Sequence, residues 1–208
     1  MAYDLEEQEQ LDAMKAWWRA NGNKVLTVVA AAAIAYAGFQ GWKIYQHKQS
    51  AAASAQYQVL MKPETKDTKT IKSIAGDLMD NYGSTPYAGR AALLAAKANY
   101  QDSDTKTAIA QLEWAIKHAK EDAVKALAVL QLASIQFETQ AYDAALKTLA
   151  EKHDPAFDGL FADLKGDILV AQGKKAEAKT AYTEALAKLD PQGRYHLYTQ
   201  HKLEALGS

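Results

Sequence analysis

The sequence contains no cysteine and little proline, and both absences narrow what the protein can be. Among its 208 residues there are four prolines and no cysteine, which excludes disulfides, thiolate zinc sites and cysteine nucleophiles. The formal net charge is only -1, so the concentrated basic surface that a nucleic-acid partner requires is missing. Alanine and the other strong helix formers are abundant, whereas valine and isoleucine are few. The composition therefore predicts long helices and no nucleic-acid partner.

An uncharged stretch near the N-terminus is long enough to cross a membrane. Val25–Trp42 contains no charged residue over 18 positions and is bounded by Lys24 and Lys43. As a helix it measures roughly 27 Å, which approaches the roughly 30 Å of a bilayer's hydrocarbon core. The flanking lysines can extend into the headgroups, and aromatic residues that favour the interfaces lie at both ends, at Trp17, Trp18, Trp42 and Tyr45. We therefore predict a single transmembrane helix over residues 25–42.

Three other roles fit this stretch less well. A cleaved signal peptide would have its small-residue cleavage site close to the apolar run, but Ala53-Ser54-Ala55 lies over a dozen residues beyond it. A buried core helix does not need so long an uncharged run, although six alanines make the run only mildly apolar. An interfacial helix needs a polar face, and the run offers only Thr27 and Gln40.

Small residues recur along one side of the predicted span. Ala33, Ala37 and Gly41 are spaced four apart, and Ala30 and Gly38 lie nearby. Small side chains at this spacing let a second helix approach closely within a membrane. We predict that these five residues form a membrane-helix packing face; the alternative is that alanine simply fills a weakly selected span.

The charges on the two flanks do not decide the orientation of the span. Three basic residues lie on each side of it, so the preference for basic residues in cytoplasmic flanks gives a tie. A short N-terminal tail and a large C-terminal region indicate a single-pass anchor.

Residues 1–24 are predicted to form a short helix ahead of the span. Leu11, Met14 and Trp18 share one face by their spacing of three and four. Asn21-Gly22-Asn23 is predicted to break or kink this helix just before the membrane. A loose tail whose aromatic residues rest on the membrane interface is the alternative.

Beyond the span, the sequence is predicted to be helical almost throughout. Residues 43–69 are interpreted as a helical extension followed by a polar connector, residues 70–206 as one domain, and Gly207-Ser208 resembles a cloning remnant. Short helices joined by turns of two to four residues pack as antiparallel neighbours, and several such pairs indicate a stacked solenoid. Within the domain, helices are predicted over residues 70–82, 87–100, 105–120, 122–139, 142–152, 157–171, 174–189 and 194–206.

A repeat of about 34 residues fits this domain. Gly166 is the small residue of a first helix, Gln172-Gly173 is the turn, and Tyr182 is the large contact on the second helix. One repeat earlier, Ala133 takes the place of Gly166 and Leu149 that of the aromatic residue. The pattern is similar to the tetratricopeptide repeat, although the tryptophan of that repeat's first helix is absent. The predicted fold class is all-α: a single N-terminal transmembrane helix followed by a tetratricopeptide-like helical-hairpin solenoid.

No group of residues points to catalysis or to a cofactor. The five histidines are scattered, and His196 and His201, the two that are close, are poorly spaced to share a helix face. The sequence has no H-E-x-x-H, phosphate-binding glycine loop or G-x-S-x-G motif. Asp163 and Asp167 do share a face and could act as acid and base, but in a solenoid they are more often an acidic patch. We predict a non-enzymatic protein; a membrane-bound hydrolase or metal protein is the alternative from another class.

The first helices of a solenoid line a concave surface that can bind an amphipathic or extended protein segment. For the leucines among these positions, packing in the core is an equally weighted alternative. The predicted partner groove consists of Arg90, Leu93, Lys97 and Tyr100 in the first unit, of Leu127, Leu130, Ser134 and Phe137 in the second, and of Leu160, Asp163, Asp167 and Val170 in the third.

Two stretches carry a more specific likeness. They are LASIQFETQAYDAALKTL at Leu132–Leu149 and ADLKGDILVAQGKKAEAKTAY at Ala162–Tyr182. Together with the acidic and aromatic start, Asn21-Gly22 and the span, they make the chain resemble the YfgM-type ancillary subunits of the bacterial SecYEG translocon over nearly its full length.

This resemblance implies a location and partners. It implies a single-pass protein of the bacterial inner membrane, with a cytoplasmic N-terminus, lipid around the span and the C-terminal domain in the periplasm. It also implies association with SecYEG and with a periplasmic chaperone of the PpiD type, and a role in handing over secretory proteins. A scaffold for another envelope complex, such as the division or outer-membrane assembly machinery, is the alternative.

Overall fold

The computed structural model describes residues 2–62 and 67–207, and within them every regular element is helical. A 3₁₀ helix at Pro155–Phe157 precedes the seventh of nine α-helices in these residues. The chain is made of two units, Met1–Lys48 and Gln49–Ser208. The α-helices are α1 (Ala2–Leu60), α2 (Thr68–Asn81), α3 (Pro86–Gln101), α4 (Thr105–His118), α5 (Asp122–Glu138), α6 (Tyr142–Leu149), α7 (Asp158–Ala171), α8 (Lys175–Lys188) and α9 (Arg194–Gly207).

Helix α1 runs without interruption through the predicted span, and the break predicted at Asn21-Gly22-Asn23 is wrong. Asparagine and glycine cost a helix only about 1 kcal/mol each at most, so this short run does not end a long one. Local contacts offset part of that cost. The Asn21 side chain donates to the Trp17 carbonyl at 3.2 Å, and the Thr27 hydroxyl donates to the Asn23 carbonyl at 2.8 Å. Among the described residues, α1 is the helix long and apolar enough to cross a membrane.

The C-terminal end of α1 belongs to the second unit and opens the helical stack. Ala53 and Leu60 are buried against α2 and α3 in one apolar cluster, and the helix ends at Leu60, within the predicted helical extension and connector of residues 43–69. Part of the predicted connector, residues 63–66, lies outside the described residues. Asp67 then caps α2, since its carboxylate accepts the backbone N–H groups of Lys69 and Thr70.

Three helical hairpins follow, formed by α3 with α4, α5 with α6, and α7 with α8. Their first helices begin at Pro86, Asp122 and Asp158, and α9 begins at Arg194, a constant step of 36 residues. Consecutive first helices lie side by side, α3 against α5 and α5 against α7. The predicted solenoid of antiparallel hairpins is confirmed, with helix ends within about three residues of those predicted.

The same backbone turn joins the two helices of each hairpin. One residue in each turn is left-handed: Ser103 at φ 63°, Gln140 at φ 61° and Gly173 at φ 77°. The N–H of the next residue donates to the carbonyl five residues earlier, at 2.8–2.9 Å in all three turns. This is the Schellman arrangement that ends a helix and reverses the chain. The repeat is therefore a property of the backbone as well as of the side chains.

Small residues allow the paired helices to approach closely. A Cβ atom added to Gly166 would lie within 2.9 Å of three ring atoms of Tyr182, which is itself buried. Leu146 from the preceding hairpin and Leu203 from α9 pack against the apolar cluster that contains Tyr182. One hairpin earlier, Ala133 and the smaller Leu149 share a core cluster. The predicted pairing of small with large residues is thus present in the last hairpin.

Candidate protein-docking surface

The predicted groove residues all lie on α3, α5 and α7, the side-by-side first helices of the hairpins. Two side chains from α3 hold it to α5. Arg90 donates from Nε and Nη2 to the two carboxylate oxygens of Glu121 at 2.7 and 2.6 Å, and the Tyr100 hydroxyl donates to Glu138. The hydrogen bonds from Arg90 lower the pKa of Glu121, against the opposing effect of partial burial. Arg90 and Tyr100 therefore clamp neighbouring helices together.

A pocket of about 240 Å³ lies between α3 and α5 beside the Tyr100–Glu138 contact. Its exposed rim includes Lys97, and no ion-pair partner for this ammonium group is found in the described part of the chain. Ser134 lies on the opposite side, with its hydroxyl donating to the Leu130 carbonyl at 2.9 Å. The pocket thus brings three predicted groove residues together above an apolar floor, and its lining is Ala96, Lys97, Tyr100, Leu112, Gln131, Ser134, Ile135 and Glu138.

Several predicted groove residues pack against the core instead. Leu93 contacts the cluster between α3, α4 and α5, while Leu130 and Phe137 contact the cluster between α5, α6 and α7. For these leucines the alternative of core packing is the one that the structure supports. Leu127 and Val170 remain at the surface, with 38% and 37% of their areas exposed.

The predicted acidic pair of α7 is covered by α9. Lys202 lies between the two carboxylates, with its Nζ atom 2.9 Å from Asp163 and 2.8 Å from Asp167. The buried Thr199 hydroxyl donates to Asp163 and the Tyr182 hydroxyl donates to Asp167, both at 2.8 Å. Each carboxylate therefore already has two partners from the chain itself.

The electrostatics of this cluster follow from its partial burial. Burial lowers the pKa of Lys202, but the hydrogen bonds to Asp163 and Asp167 outweigh that effect and raise it overall. Burial, reinforced by the hydrogen bond to Asp167, raises the pKa of Tyr182. The interpretation of Asp163 and Asp167 as an open acidic patch is corrected accordingly, because these carboxylates fasten α9 to α7.

The predicted packing face of the span is exposed along its whole length in the first unit. Apart from the neighbouring residues of the helix itself, no atom of the described residues lies within 4 Å of where a Cβ would stand at Gly38 or Gly41. A neighbouring helix could therefore approach the backbone closely at these two glycines. The predicted residues on this face, each exposed, are Ala30, Ala33, Ala37, Gly38 and Gly41.

Comparison with known proteins agrees with this architecture. The tetratricopeptide repeat-like domain family matches residues 15–208, which includes both the span and the hairpins. An ancillary SecYEG translocon subunit of Haemophilus influenzae is 31% identical over 89% of this chain and 91% of its own length. The chain belongs to the family of ancillary SecYEG translocon subunits. Members of the same name from Neisseria gonorrhoeae and Escherichia coli are 30% and 28% identical, covering 100% and 88% of their lengths. The family is thus named for an ancillary role at a translocon.

The repeat register predicted which residues line the groove, but it did not indicate the polar partners of those residues. Glu121 precedes the first turn of α5 and Glu138 ends that helix, so neither lies at a groove position of the repeat. Lys202 did leave a signal in the sequence. It shares a face of α9 with Thr199 and Leu206, and a base on an otherwise inward face requires an acid opposite it.

Proposed function

We propose that the chain is an ancillary subunit of the bacterial Sec translocon that docks a periplasmic chaperone of the PpiD type and assists the hand-over of secretory proteins. In this proposal residues 1–24 are cytoplasmic, residues 25–42 cross the inner membrane, and residues 43–69 connect the span to a periplasmic domain at residues 70–206. The anchor holds the domain beside the channel, where tethering raises the effective concentration of the groove for its partner.

The observation that carries this proposal is the extent of the family match. The matched region begins at residue 15 and ends at residue 208, so it covers the anchor as well as the repeats. Relatives named ancillary SecYEG translocon subunits align with about nine-tenths or more of this chain in the first three comparisons. A shared repeat alone would support only a general protein-binding role, whereas the shared anchor supports one at a membrane.

The small-residue face of the span is our proposed contact with the translocon, and lipid covers the remainder of the span. Between two apolar helices in lipid, close packing supplies much of the association energy, and small residues permit it. Gly38 and Gly41 extend the alanine face, and no described residue of the first unit covers it.

Two matched substitutions test this contact. Ala37→Phe places a bulky side chain on the proposed face, and Ala35→Phe places the same side chain roughly 160° around the helix. We expect translocon recovery in mild detergent to fall about tenfold for the first variant and to stay unchanged for the second. Equal recovery of both variants would remove the packing face from the proposal.

The pocket between α3 and α5 is our proposed centre of the chaperone contact. Its floor is apolar, and its rim carries the uncovered Lys97 ammonium group. A buried apolar anchor surrounded by polar contacts is the usual arrangement at the centre of a protein interface. Asp163 and Asp167 are less suitable, because reversing their charge would also release α9.

Substitutions at the pocket test the chaperone contact directly. We expect Lys97→Glu and the pocket-filling Ser134→Trp each to reduce co-purified chaperone about tenfold. Lys117→Glu on the exposed side of α4 makes the same charge change away from the pocket and should leave recovery unchanged. Translocon recovery serves as an internal control, since it depends on the span. Normal chaperone recovery in both pocket variants would place the docking site elsewhere.

A further inference from the structure

The uninterrupted course of α1 aligns residues before the span with residues inside it. One line of residues along α1 starts at Trp18 and continues to Tyr36 in alternating steps of four and three. Leu11 lies on the same line, seven residues before Trp18. Such spacing is that of a helix packed along another helix. Four of the large side chains, at Leu11, Trp18, Val29 and Tyr36, have 49–65% of their surface exposed. We call this line the seam; it consists of Leu11, Trp18, Gly22, Val25, Val29, Ala32 and Tyr36.

We propose that the seam binds a second membrane-crossing helix from a different chain, which continues as a helix beyond the bilayer and carries an acidic residue opposite Lys15. The proposal rests on the membrane span proposed above. It adds a contact on another face of α1, about a quarter of a turn from the small-residue face.

Lipid cannot cover the outer end of the seam. Leu11 lies 14 residues before Val25, or about 21 Å along a straight helix. The headgroup region extends only about 5–8 Å beyond the hydrocarbon core. Leu11 therefore projects past the headgroups, where its exposed surface would face water unless a protein covers it. The neighbouring acids Glu7 and Asp12 also disfavour an anionic lipid surface.

A second copy of the chain is a poor occupant because of Lys15. This residue stands four after Leu11 and three before Trp18, and thus completes the period of the seam. Two single-pass copies in one membrane would run parallel, which in register brings Lys15 against Lys15. Its ion pair with Asp12, at 3.2 Å, joins two exposed side chains and is weak. An acid from another chain could replace Asp12 and remove the repulsion.

Gly22 gives the seam a flat surface where it enters the membrane. A Cβ at this glycine would lie 3.2 Å from the Trp18 indole nitrogen, so the ring lies along the helix over the missing side chain. Because the ring covers Gly22, which is itself buried, this part of the seam presents the flat face of the indole to a second helix.

Site-specific photocrosslinking tests the seam on the full chain in native membranes. Because the chain contains no cysteine, a single introduced thiol carries the benzophenone label at one chosen position of the chain. We expect Leu11→Cys, Trp18→Cys, Val25→Cys and Val29→Cys to crosslink to one and the same protein. Ala16→Cys and Thr27→Cys, each two residues from a seam position and so on the opposite side, should crosslink to that same protein at least about tenfold less.

Charge substitutions at Lys15 identify the chemistry of the partner. Lys15→Glu should reduce crosslinking from Leu11→Cys about tenfold, whereas Lys15→Arg should preserve it. A crosslinked product of twice the chain mass would assign the seam to a second copy and overturn the proposal. Labelling of lipid alone would also overturn it, as would crosslinking confined to the two span positions. Failure of the translocon contact would instead appear in the Ala37→Phe comparison, so the two failures are distinguishable.

Discussion

Gly166 shows how one residue determines the spacing of a hairpin. The ring of Tyr182 occupies the space where a side chain on this residue would stand. The ring is buried, and its hydroxyl is held by Asp167 at 2.8 Å, so it has little freedom to move aside. In the preceding hairpin the residues at these positions are Ala133 and Leu149, a larger residue facing a smaller one. The two hairpins thus fill the space between their helices in different ways, one with glycine and tyrosine and the other with alanine and leucine.

Because a larger residue at one position requires a smaller one at the other, Gly166→Ala should have opposite effects on stability in the natural chain and in a Tyr182→Leu variant. Gly166→Ala should destabilise the natural chain by about 1–2 kcal/mol, because overpacking outweighs the better helix propensity of alanine. In a Tyr182→Leu background, which reproduces the Ala133–Leu149 pair, the same change should be neutral or stabilise by up to about 1 kcal/mol. Thermal denaturation of the detergent-solubilised chain gives the four stabilities of this cycle. Equal effects in both backgrounds would contradict the steric explanation.

Lys202 is the second residue with a role that depends on its immediate partners. Its pKa is raised in the folded chain by Asp163 and Asp167, while an unfolded lysine titrates near pH 10.4. Its contribution to stability is therefore complete below about pH 10.4 and is lost as the pH rises through the folded pKa. The pKa of Tyr182 is also raised, so the contribution of Tyr182 to the stability of the fold is likewise lost as the pH rises above about 10.

Replacing Lys202 with methionine separates the contribution of Lys202 to the pH dependence of stability from that of Tyr182. The variant should be about 1–3 kcal/mol less stable near neutral pH, because two partly buried carboxylates lose a charged partner. The gap between natural chain and variant should narrow above about pH 10.4, where the lysine of the unfolded chain deprotonates while that of the folded chain still holds its proton. Melting temperatures from pH 7 to 11.5 measure this gap. Parallel curves would show that the ammonium charge contributes nothing.

The three hairpin turns are the clearest repeated feature at the scale of elements. All three require one left-handed residue, but only the last supplies a glycine there; Ser103 and Gln140 take the position in the others. Left-handed backbone costs residues other than glycine roughly 1–2 kcal/mol. The sequence gives a turn signal at Gly173 because of the glycine, and weaker signals at the other two.

The requirement for a left-handed residue predicts the sign of three substitutions. Gln140→Gly should stabilise the chain by about 0.5–1 kcal/mol, and Gly173→Ala should destabilise it by about 1 kcal/mol. Gly76→Ala is the matched control, because this glycine lies within α2 with open space around it. That change should stabilise by about 1 kcal/mol. Chemical denaturation can rank all three, and a destabilising Gln140→Gly would contradict the turn argument.

Helix boundaries were predictable from sequence wherever the chain carries a strong turn residue. Pro86 starts α3 and Pro155 lies between α6 and α7, and proline, which has no backbone donor, marks a boundary at both places. The predicted break at Asn21-Gly22-Asn23 failed because asparagine and glycine are weak helix breakers within a long helix. The preference of these three residues for a turn is small compared with the cost of interrupting a helix of 59 residues.

At the scale of the whole molecule, the groove was only partly predictable. Repeat register correctly assigned its residues to the first helices, since that depends on periodicity alone. Periodicity could not separate Lys97, which lies on the pocket rim, from Leu93 and Leu130, which pack inward. It also could not foresee that Lys202, far along the chain, covers Asp163 and Asp167. Such contacts depend on how the last helix lies against the stack.

The stacked order of the hairpins predicts how damage spreads through the domain. The main contacts join consecutive helices and consecutive first helices, so each hairpin depends chiefly on its neighbours. Lys202→Met should therefore raise native-state hydrogen exchange in α7, α8 and α9 and leave α3 and α4 nearly unchanged. An exposed substitution such as Lys117→Glu controls for general effects of mutation. A uniform loss of protection from α3 to α9 would instead mean that the domain opens as one cooperative unit, because exchange then reports global unfolding everywhere.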